Sequence, residues 1–494
     1  MDPLTLAGLG LAGMFLLIAL HIPIGVAMGV AGFIGVALIL GDWGAAVTLL
    51  KDEPSGIVAN RDLAVIPLFL LMGAFAGAAG LSADLYRLAY ALVGHYRGGL
   101  AMSTIGGCAG FGAVCGSSVA TAATMTRVAL PEMLSRGYQP ALATGSIAAG
   151  GTLGMLIPPS VIMVLYAVLT EQFVIALFIA AIIPGAIAVA LHFVAIYIYV
   201  RAKPEAGPAG PKMEWPERWQ VVRKSWRVLT LAFVVSGGIY GGVFTVAEAA
   251  AVGACMSFVF TLNIPERWWT LFTSWRWVLS YCWRVLTPAI VAIGCILGGI
   301  FPVPVAVAVG IFLLLLFTIR RRHLDPKMLW GVLSESAANT GLIYLIIIGA
   351  SIFTYFVTLS HLPNELVATI QSLGVHPLVV MFLLHLMYLI LGSIFDTVAA
   401  MVITLPFVFP LIIDLGFDPI WFGVINVMVI EIGMITPPIG INVFVLHGIA
   451  RDIPLGTIFR GIGPFLVADL VRLTILVFFP VLALWLPRLM NMPM

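Results

Sequence analysis

Apolar runs long enough to cross a bilayer alternate with short polar breaks along most of this chain. Residues 4–20 and 22–41 read as two spans parted at His21-Ile22-Pro23, and a polar segment at 42–62 carries Asp42, Lys51, Asp52, Glu53 and Arg61. A span at about 63–81 follows, then a surface helix from Ser82 to Arg97 with Arg87 on it. The next stretch is different. Ser103–Gly116 and Ser118–Pro131 are arms of 14 residues each, about 21 Å long as helices and short of a hydrocarbon core about 30 Å thick. That length predicts a re-entrant hairpin entering and leaving by one face, its tip at Gly116-Ser117-Ser118; two full spans with a tight turn are the alternative. Tyr138–Thr170 is too long for one straight crossing, and its interruption, Gly150-Gly151-Thr152-Leu153-Gly154-Met155-Leu156-Ile157-Pro158-Pro159-Ser160, ends in paired prolines. Proline in a helix interior removes a backbone donor and frees a carbonyl, so the pair predicts an unwound, broken helix.

This unit occurs twice. Gly392-Ser393-Ile394-Phe395-Asp396-Thr397 matches Gly116-Ser117-Ser118-Val119-Ala120-Thr121, which sets Asp396 opposite Ala120. Leu415-Gly416-Phe417-Asp418-Pro419 matches Arg136-Gly137-Tyr138-Gln139-Pro140, and Gly433-Met434-Ile435-Thr436-Pro437-Pro438 matches Gly154-Met155-Leu156-Ile157-Pro158-Pro159. A second, local repeat sets Trp226–Gly253 against Trp283–Gly310, with 17 identities in 28 ungapped positions. Each copy reads as a two-span hairpin, and Glu248 of the first becomes Val305 in the second. A carboxylate among apolar residues is either a functional group or a brace near the interface.

Composition places these runs in a membrane. The 494 residues are 62% hydrophobic and 9% charged, with a mean hydropathy of +1.12, whereas soluble domains carry about a quarter charged residues. About a dozen crossings fit, and no basic region precedes the first run, so no cleavable signal is expected. A net charge of +2 gives no reason to expect nucleic acid. Cys108, Cys115, Cys255, Cys282 and Cys295 are odd in number and lack ligand spacing, so they read as packing residues.

Charge also sets orientation. A span at about 173–200 leads to a linker, 201–227, with Arg201, Lys203, Lys212, Arg218, Arg223, Lys224 and Arg227, which the positive-inside rule places in the cytoplasm. The first hairpin, flanked by Arg97 and Arg136, then opens to the same side. Arg320-Arg321-Arg322 is cytoplasmic too, and one span at about 335–360 carries the chain outside. The second hairpin is flanked by His361, Glu365, His376, Asp414 and Asp418, with no lysine or arginine. The two hairpins are therefore expected to enter from opposite faces, the inverted-repeat pattern of secondary transporters. The expected division is 1–97 scaffold helices; 98–172 first transport repeat; 173–225 span and basic linker; 226–334 scaffold with the duplicated pair; 335–450 span and second transport repeat; 451–494 C-terminal span. The predicted class is an all-α polytopic membrane protein with two re-entrant hairpins and two discontinuous helices.

Gly116 through Met125 and Gly151 through Ser160 resemble the large membrane subunit of tripartite ATP-independent periplasmic (TRAP) transporters. Gly237-Gly238-Ile239-Tyr240-Gly241-Gly242, Phe417-Asp418-Pro419-Ile420-Trp421-Phe422-Gly423 and Glu431 through Gly440 are similar to it as well. The likeness covers most of the chain from about 60 to 486; the extra pair at 283–320 departs from it. The resemblance implies no enzyme and no cofactor, but import of a small organic acid on a sodium gradient by an elevator motion. It also implies a separate small membrane subunit, a periplasmic solute-binding protein and a bacterial or archaeal cytoplasmic membrane. A channel, a proton-coupled transporter and an intramembrane hydrolase using Ser117 or Ser118 are the competing classes.

A hard cation such as sodium needs several oxygens, which carbonyls freed at a hairpin tip and a helix break supply together with hydroxyls. One candidate set is Gly116, Ser117, Ser118, Gly151, Thr152 and Gly154; its counterpart is Gly392, Ser393, Asp396, Thr397, Gly433 and Thr436. Half-helix N-termini beside the breaks suit a substrate carboxylate, with Ser118, Thr121, Pro158, Thr397 and Pro437 as candidates. Asp396 reads as a sodium ligand or a helix cap, and the role of Glu431 stays open.

Overall fold

The structure, a computed structural model, describes residues 2–261, 326–490 and 492, and among these every regular element is a helix. The second copy of the local repeat (283–310), Cys282, Cys295 and the Arg320 cluster lie outside the described residues. Helices α1 (Pro3–Ala19) and α2 (Ile24–Leu40) stand where the first two spans are expected. The polar segment after them is itself helical: α3 (Trp43–Ala59) starts at Asp42, whose carboxylate accepts from the Gly44 amide at 2.7 Å. Asp caps orphan amides in this way, and Glu53 accepts a hydrogen bond from Ser351. Between α3 and the helical stretch that includes α4 (Val65–Ala78) the chain bends by 61°. The expected surface helix is α5 (Leu81–Val93), one-sided, with Tyr86 and Tyr90 buried and Arg87 exposed.

The first hairpin consists of α6 (Gly99–Cys115) and α7 (Ser118–Ser135). Its arms are longer than the sequence suggests, 17 and 18 residues, or about 26 and 27 Å. Ser103 and Thr104 do not end α6, because their hydroxyls donate back to Gly99 O and Leu100 O at 2.6 and 2.9 Å. Pro131 is accommodated near the end of α7. A re-entrant course therefore does not follow from arm length. The broken helix is α8 (Pro140–Leu156) and α9 (Val161–Leu169), bent by 42° at the prolines. α10 (Val174–Ala202) then crosses to the basic linker, which forms α11 (Trp215–Lys224), and α12 (Trp226–Tyr240) and α13 (Val246–Thr261) make the first copy of the local repeat.

The second half opens with α14 (Pro326–Leu359), 34 residues long, and α15 (Leu362–Ser372). Its hairpin is α16 (Pro377–Ile394) and α17 (Thr397–Asp414), its broken helix α18 (Pro419–Gly433) and α19 (Ile441–Ile449), followed by α20 (Leu455–Phe478) and α21 (Val481–Leu489). α17 begins and ends 279 positions after α7 (397 − 118; 414 − 135). The cis bonds Pro158-Pro159 and Pro437-Pro438 keep the same offset (437 − 158). That corrects the hairpin match: Asp396 stands opposite Ser117, not Ala120, and Thr397 opposite Ser118. The Gly-Ser dipeptide at 392–393 sits one turn earlier, inside α16, and had drawn the match out of register by three residues.

Five described helices are long and apolar enough to cross a membrane singly (α10, α14, α16, α17, α20), or seven spans if each bent pair counts as one. Six more are shorter apolar helices. α8 is the hub, packed against α6, α7 and α20. A Cβ on Gly32 of α2 would lie 2.8 Å from the Ile352 carbonyl of α14, so glycine allows that close crossing.

Candidate functional site

At the first tip Gly116 takes a left-handed turn, φ +63°, which favours glycine. Ser117 caps α7, its hydroxyl accepting from the Ala120 amide at 3.4 Å, while its carbonyl accepts from the Thr121 amide at 3.1 Å and the Thr121 hydroxyl at 2.7 Å. The break closes on this tip. A Cβ at Gly154 would lie 2.8 Å from Thr121 Oγ1 and 3.0 Å from Ser117 O, and one at Gly151 would lie 2.8 Å from Ala122 Cβ. A Cβ at Gly116 would meet Pro159 O at 3.3 Å. Pro158 is buried beside it, and Thr152 donates to Ala149 O at 2.7 Å, within its own helix.

The second repeat has the same plan. Asp396 caps α17, accepting from the Ala399 amide at 3.2 Å. A Cβ at Gly433 would lie 2.7 Å from Gly392 C, and the Gly440 amide donates to Ser393 O at 3.1 Å. The Ser393 and Thr436 hydroxyls donate to Ile390 O and Ile432 O at 2.7 and 2.6 Å, and Thr397 Oγ1 lies 3.0 Å from Met434 Sδ. A hydroxyl donating to a carbonyl keeps lone pairs for a cation. The repeats differ in exposure: Pro437, Pro438 and Ile439 are exposed, whereas Pro158 and Pro159 are buried.

Each distal half-helix packs against the opposite repeat. α19 lies on α7, where Asn442 Nδ2 donates to Ser118 Oγ at 2.5 Å, both residues fully buried. Asn442 Oδ1 has no partner among the described residues. In return, the Tyr166 hydroxyl of α9 donates to Pro419 O at 2.8 Å, and its ring stands edge-on to Phe409 at 6.3 Å. Sequence reading missed Asn442, although a lone amide in an apolar half-helix just past the prolines is a legible signal. It also missed Asp469, Arg472 and His192, which meet near Glu431 behind the second break. Glu248 forms a reciprocal cap with Thr245: the Thr245 amide donates to its carboxylate at 2.8 Å and its own amide donates to Thr245 Oγ1 at 3.3 Å. That contact gives it a bracing role at the start of α13.

The family model described as "Tripartite ATP-independent periplasmic transporter, DctM component" matches residues 11–280 and 266–482. The chain belongs to the DctM family. Those two matches meet between the copies of the local repeat, so this DctM chain carries a segment the family pattern does not span in one piece. It is 34% identical over 465 residues to the C4-dicarboxylate TRAP transporter large permease protein DctM of Pseudomonas aeruginosa, covering 94% of each chain. It is 26% identical to the sialic acid TRAP transporter large permease protein SiaM of Vibrio cholerae, over 92% of this chain and 93% of that one. The ectoine/5-hydroxyectoine permease UehC of Ruegeria pomeroyi is also 26% identical, over 96% of both. These relatives are permease subunits, not enzymes, and this DctM chain is a multi-pass membrane protein. Its fold is shared with the YdaH transporter of Alcanivorax borkumensis, a crystal structure matched at TM-score 0.53 and 16% identity over 89% of this chain and 87% of that one.

Proposed function

We propose that this DctM chain imports a small organic acid across the cytoplasmic membrane of a bacterium or archaeon, driven by a sodium gradient. A periplasmic binding protein delivers the solute, and a separate small membrane subunit braces the scaffold. The observation that carries this reading is the mirrored tip-and-break pair: Ser117 O and Thr121 Oγ1 beside Gly154 in one repeat, and Ser393 and Thr436 around Gly392 and Gly433 in the other. Each pair offers carbonyl and hydroxyl oxygens with no fixed negative charge except Asp396, a donor set weak enough to release a monovalent ion. Helix N-termini at Ser118 and Ile441, joined through Asn442, give the solute carboxylate a positively polarised seat.

In this reading the hairpins are re-entrant from opposite faces, and the two transport repeats slide together against the α1–α4, α12–α14 scaffold. The test is uptake by proteoliposomes holding both membrane subunits, supplied with the binding protein and a panel containing a C4-dicarboxylate and sialic acid. Import should follow an imposed inward sodium gradient. Import equal in its presence and absence refutes sodium coupling.

A further inference from the structure

The linker between α10 and α12 is a helix held at both ends. Ahead of α11 the Gly210 amide donates to Gly94 O at 3.1 Å, and the Gly98 amide donates to Gly207 O at 2.9 Å. Behind it the Ser225 hydroxyl donates to Asp84 O at 3.3 Å and Arg227 Nη2 to Asp84 Oδ2 at 3.2 Å, so α5 fixes that end. α11 packs on α5, and Arg218, Val221 and Val222 are its half-buried positions. Its other side chains are thereby presented in one set orientation.

What they present does not suit open water. Trp215 is 80% exposed and Trp219 59%, although tryptophan is highly buried on average. With Arg223 they stand at i, i+4 and i+8, along one edge of the helix. Tryptophan gathers at the membrane–water boundary, where the ring leaves water and its N–H stays wet. The end of α10, a helix long and apolar enough to span, pairs aromatics with cations in the same manner. Arg201 Nη1 donates to the exposed Tyr197 hydroxyl at 2.7 Å, and Lys203 Nζ lies 5.6 Å from the centre of the Tyr199 ring.

Charge selects the kind of lipid. Residues 201–227 hold seven cations against three carboxylates. Two of those carboxylates are spent on the start of α11, where Glu214 and Glu217 form a reciprocal cap and the Glu214 amide donates to Glu217 Oε2 at 3.3 Å. Arg227 is taken by Asp84, and Arg218 Nε donates to Met213 O at 3.1 Å. The exposed side chains of Lys212, Arg223 and Lys224 meet no partner among the described residues. Uncompensated cations beside exposed tryptophans favour anionic headgroups over zwitterionic ones.

We propose that α11 is a docking strip for anionic phospholipid. Trp215 and Trp219 seat in the headgroup layer, while Arg223 and Lys224, with Lys212 at the other end, hold the lipid phosphates. The strip follows from the membrane setting of the chain and is independent of which ion drives transport.

The test is native mass spectrometry of the purified full-length chain in neutral detergent, titrated separately with phosphatidylglycerol and phosphatidylcholine. Wild type should bind phosphatidylglycerol more tightly, with the difference shrinking as salt rises. Arg223→Gln/Lys224→Gln should weaken phosphatidylglycerol about tenfold and leave phosphatidylcholine unchanged. Arg451→Gln removes an exposed cation elsewhere and should keep the wild-type affinity. Trp215→Ala/Trp219→Ala should weaken both lipids. All these side chains but Trp219 and Trp215 are charged surface groups, and an unchanged unfolding temperature checks that each variant is folded. Equal binding of the two lipids by wild type, or wild-type phosphatidylglycerol affinity in Arg223→Gln/Lys224→Gln, overturns the proposal. Loss of small-subunit co-purification in that variant with lipid affinity intact assigns the strip to the protein partner instead, and overturns it too.

Discussion

Replacing Gly154 by alanine tests the contact between tip and break. The new methyl would lie 2.8 Å from Thr121 Oγ1, 3.0 Å from Ser117 O and 3.4 Å from Gly112 Cα. None of these is the far end of a flexible chain: Ser117 O is tied by two hydrogen bonds from Thr121, and Gly112 is backbone. Overpacking of this kind costs about 1–3 kcal/mol, against which alanine gains about 0.5–1 kcal/mol of helix preference. A net loss of about 1–2 kcal/mol is expected. The more telling effect is on sodium, because the methyl pushes apart two proposed ligand oxygens. A cation present at a hundred times its dissociation constant stabilises the folded state by about 2.7 kcal/mol. Thermal unfolding of the purified chain should thus show a sodium-dependent rise in wild type that shrinks in Gly154→Ala. Gly13→Ala, where nothing lies within 4 Å of the added carbon, is the control and should keep the full rise. A Gly154→Ala protein that unfolds at or above the wild-type temperature with an undiminished sodium shift refutes the reasoning.

Three further outcomes follow from particular contacts. Asn442→Ala should cost about 1–3 kcal/mol by leaving Ser118 without its buried donor, and sodium-driven uptake should fall with it; uptake at the wild-type rate contradicts a role for this contact. Asp396→Asn retains the α17 cap and should unfold with wild type, whereas Asp396→Ala should lose about 1 kcal/mol; if Asp396→Asn alone abolishes the sodium shift, Asp396 is a ligand as well as a cap. At the feet of the first hairpin the Tyr138 hydroxyl, pushed up to about 12 by burial, accepts from the Leu100 amide at 3.1 Å and donates to Pro208 O at 3.0 Å. Tyr138→Phe should free residues 203–211 from the feet of the first hairpin, read as faster amide exchange there, while the Gln139–Ala206 bond at 3.0 Å limits the effect.

Much of this architecture is written in the chain. Paired prolines cannot sit in a continuous helix, so both breaks could be placed from sequence, and the left-handed Gly116 marks its own turn. Arm lengths could not: hydroxyls at Ser103 and Thr104 satisfy themselves inside α6, and small residues that look like an end are helix interior. The register of the second hairpin was misread because a Gly-Ser pair is a weaker signal than cap geometry. Only coordinates show that Ser117 and Asp396 perform one task. Asn442 is legible as a lone amide past the prolines, but its pairing with Ser118 spans 324 residues, and neither that pairing nor the meeting of Asp469 with His192 is encoded in a local pattern.

The central claim, two like units inserted from opposite faces, is met most directly by labelling. In a chain with its native cysteines replaced, Ser135→Cys and Ile413→Cys sit at the open ends of the two hairpins, both exposed. A membrane-impermeant maleimide should reach Ser135→Cys only from the cytoplasmic side and Ile413→Cys only from the outside. Labelling of both from one face would contradict the account.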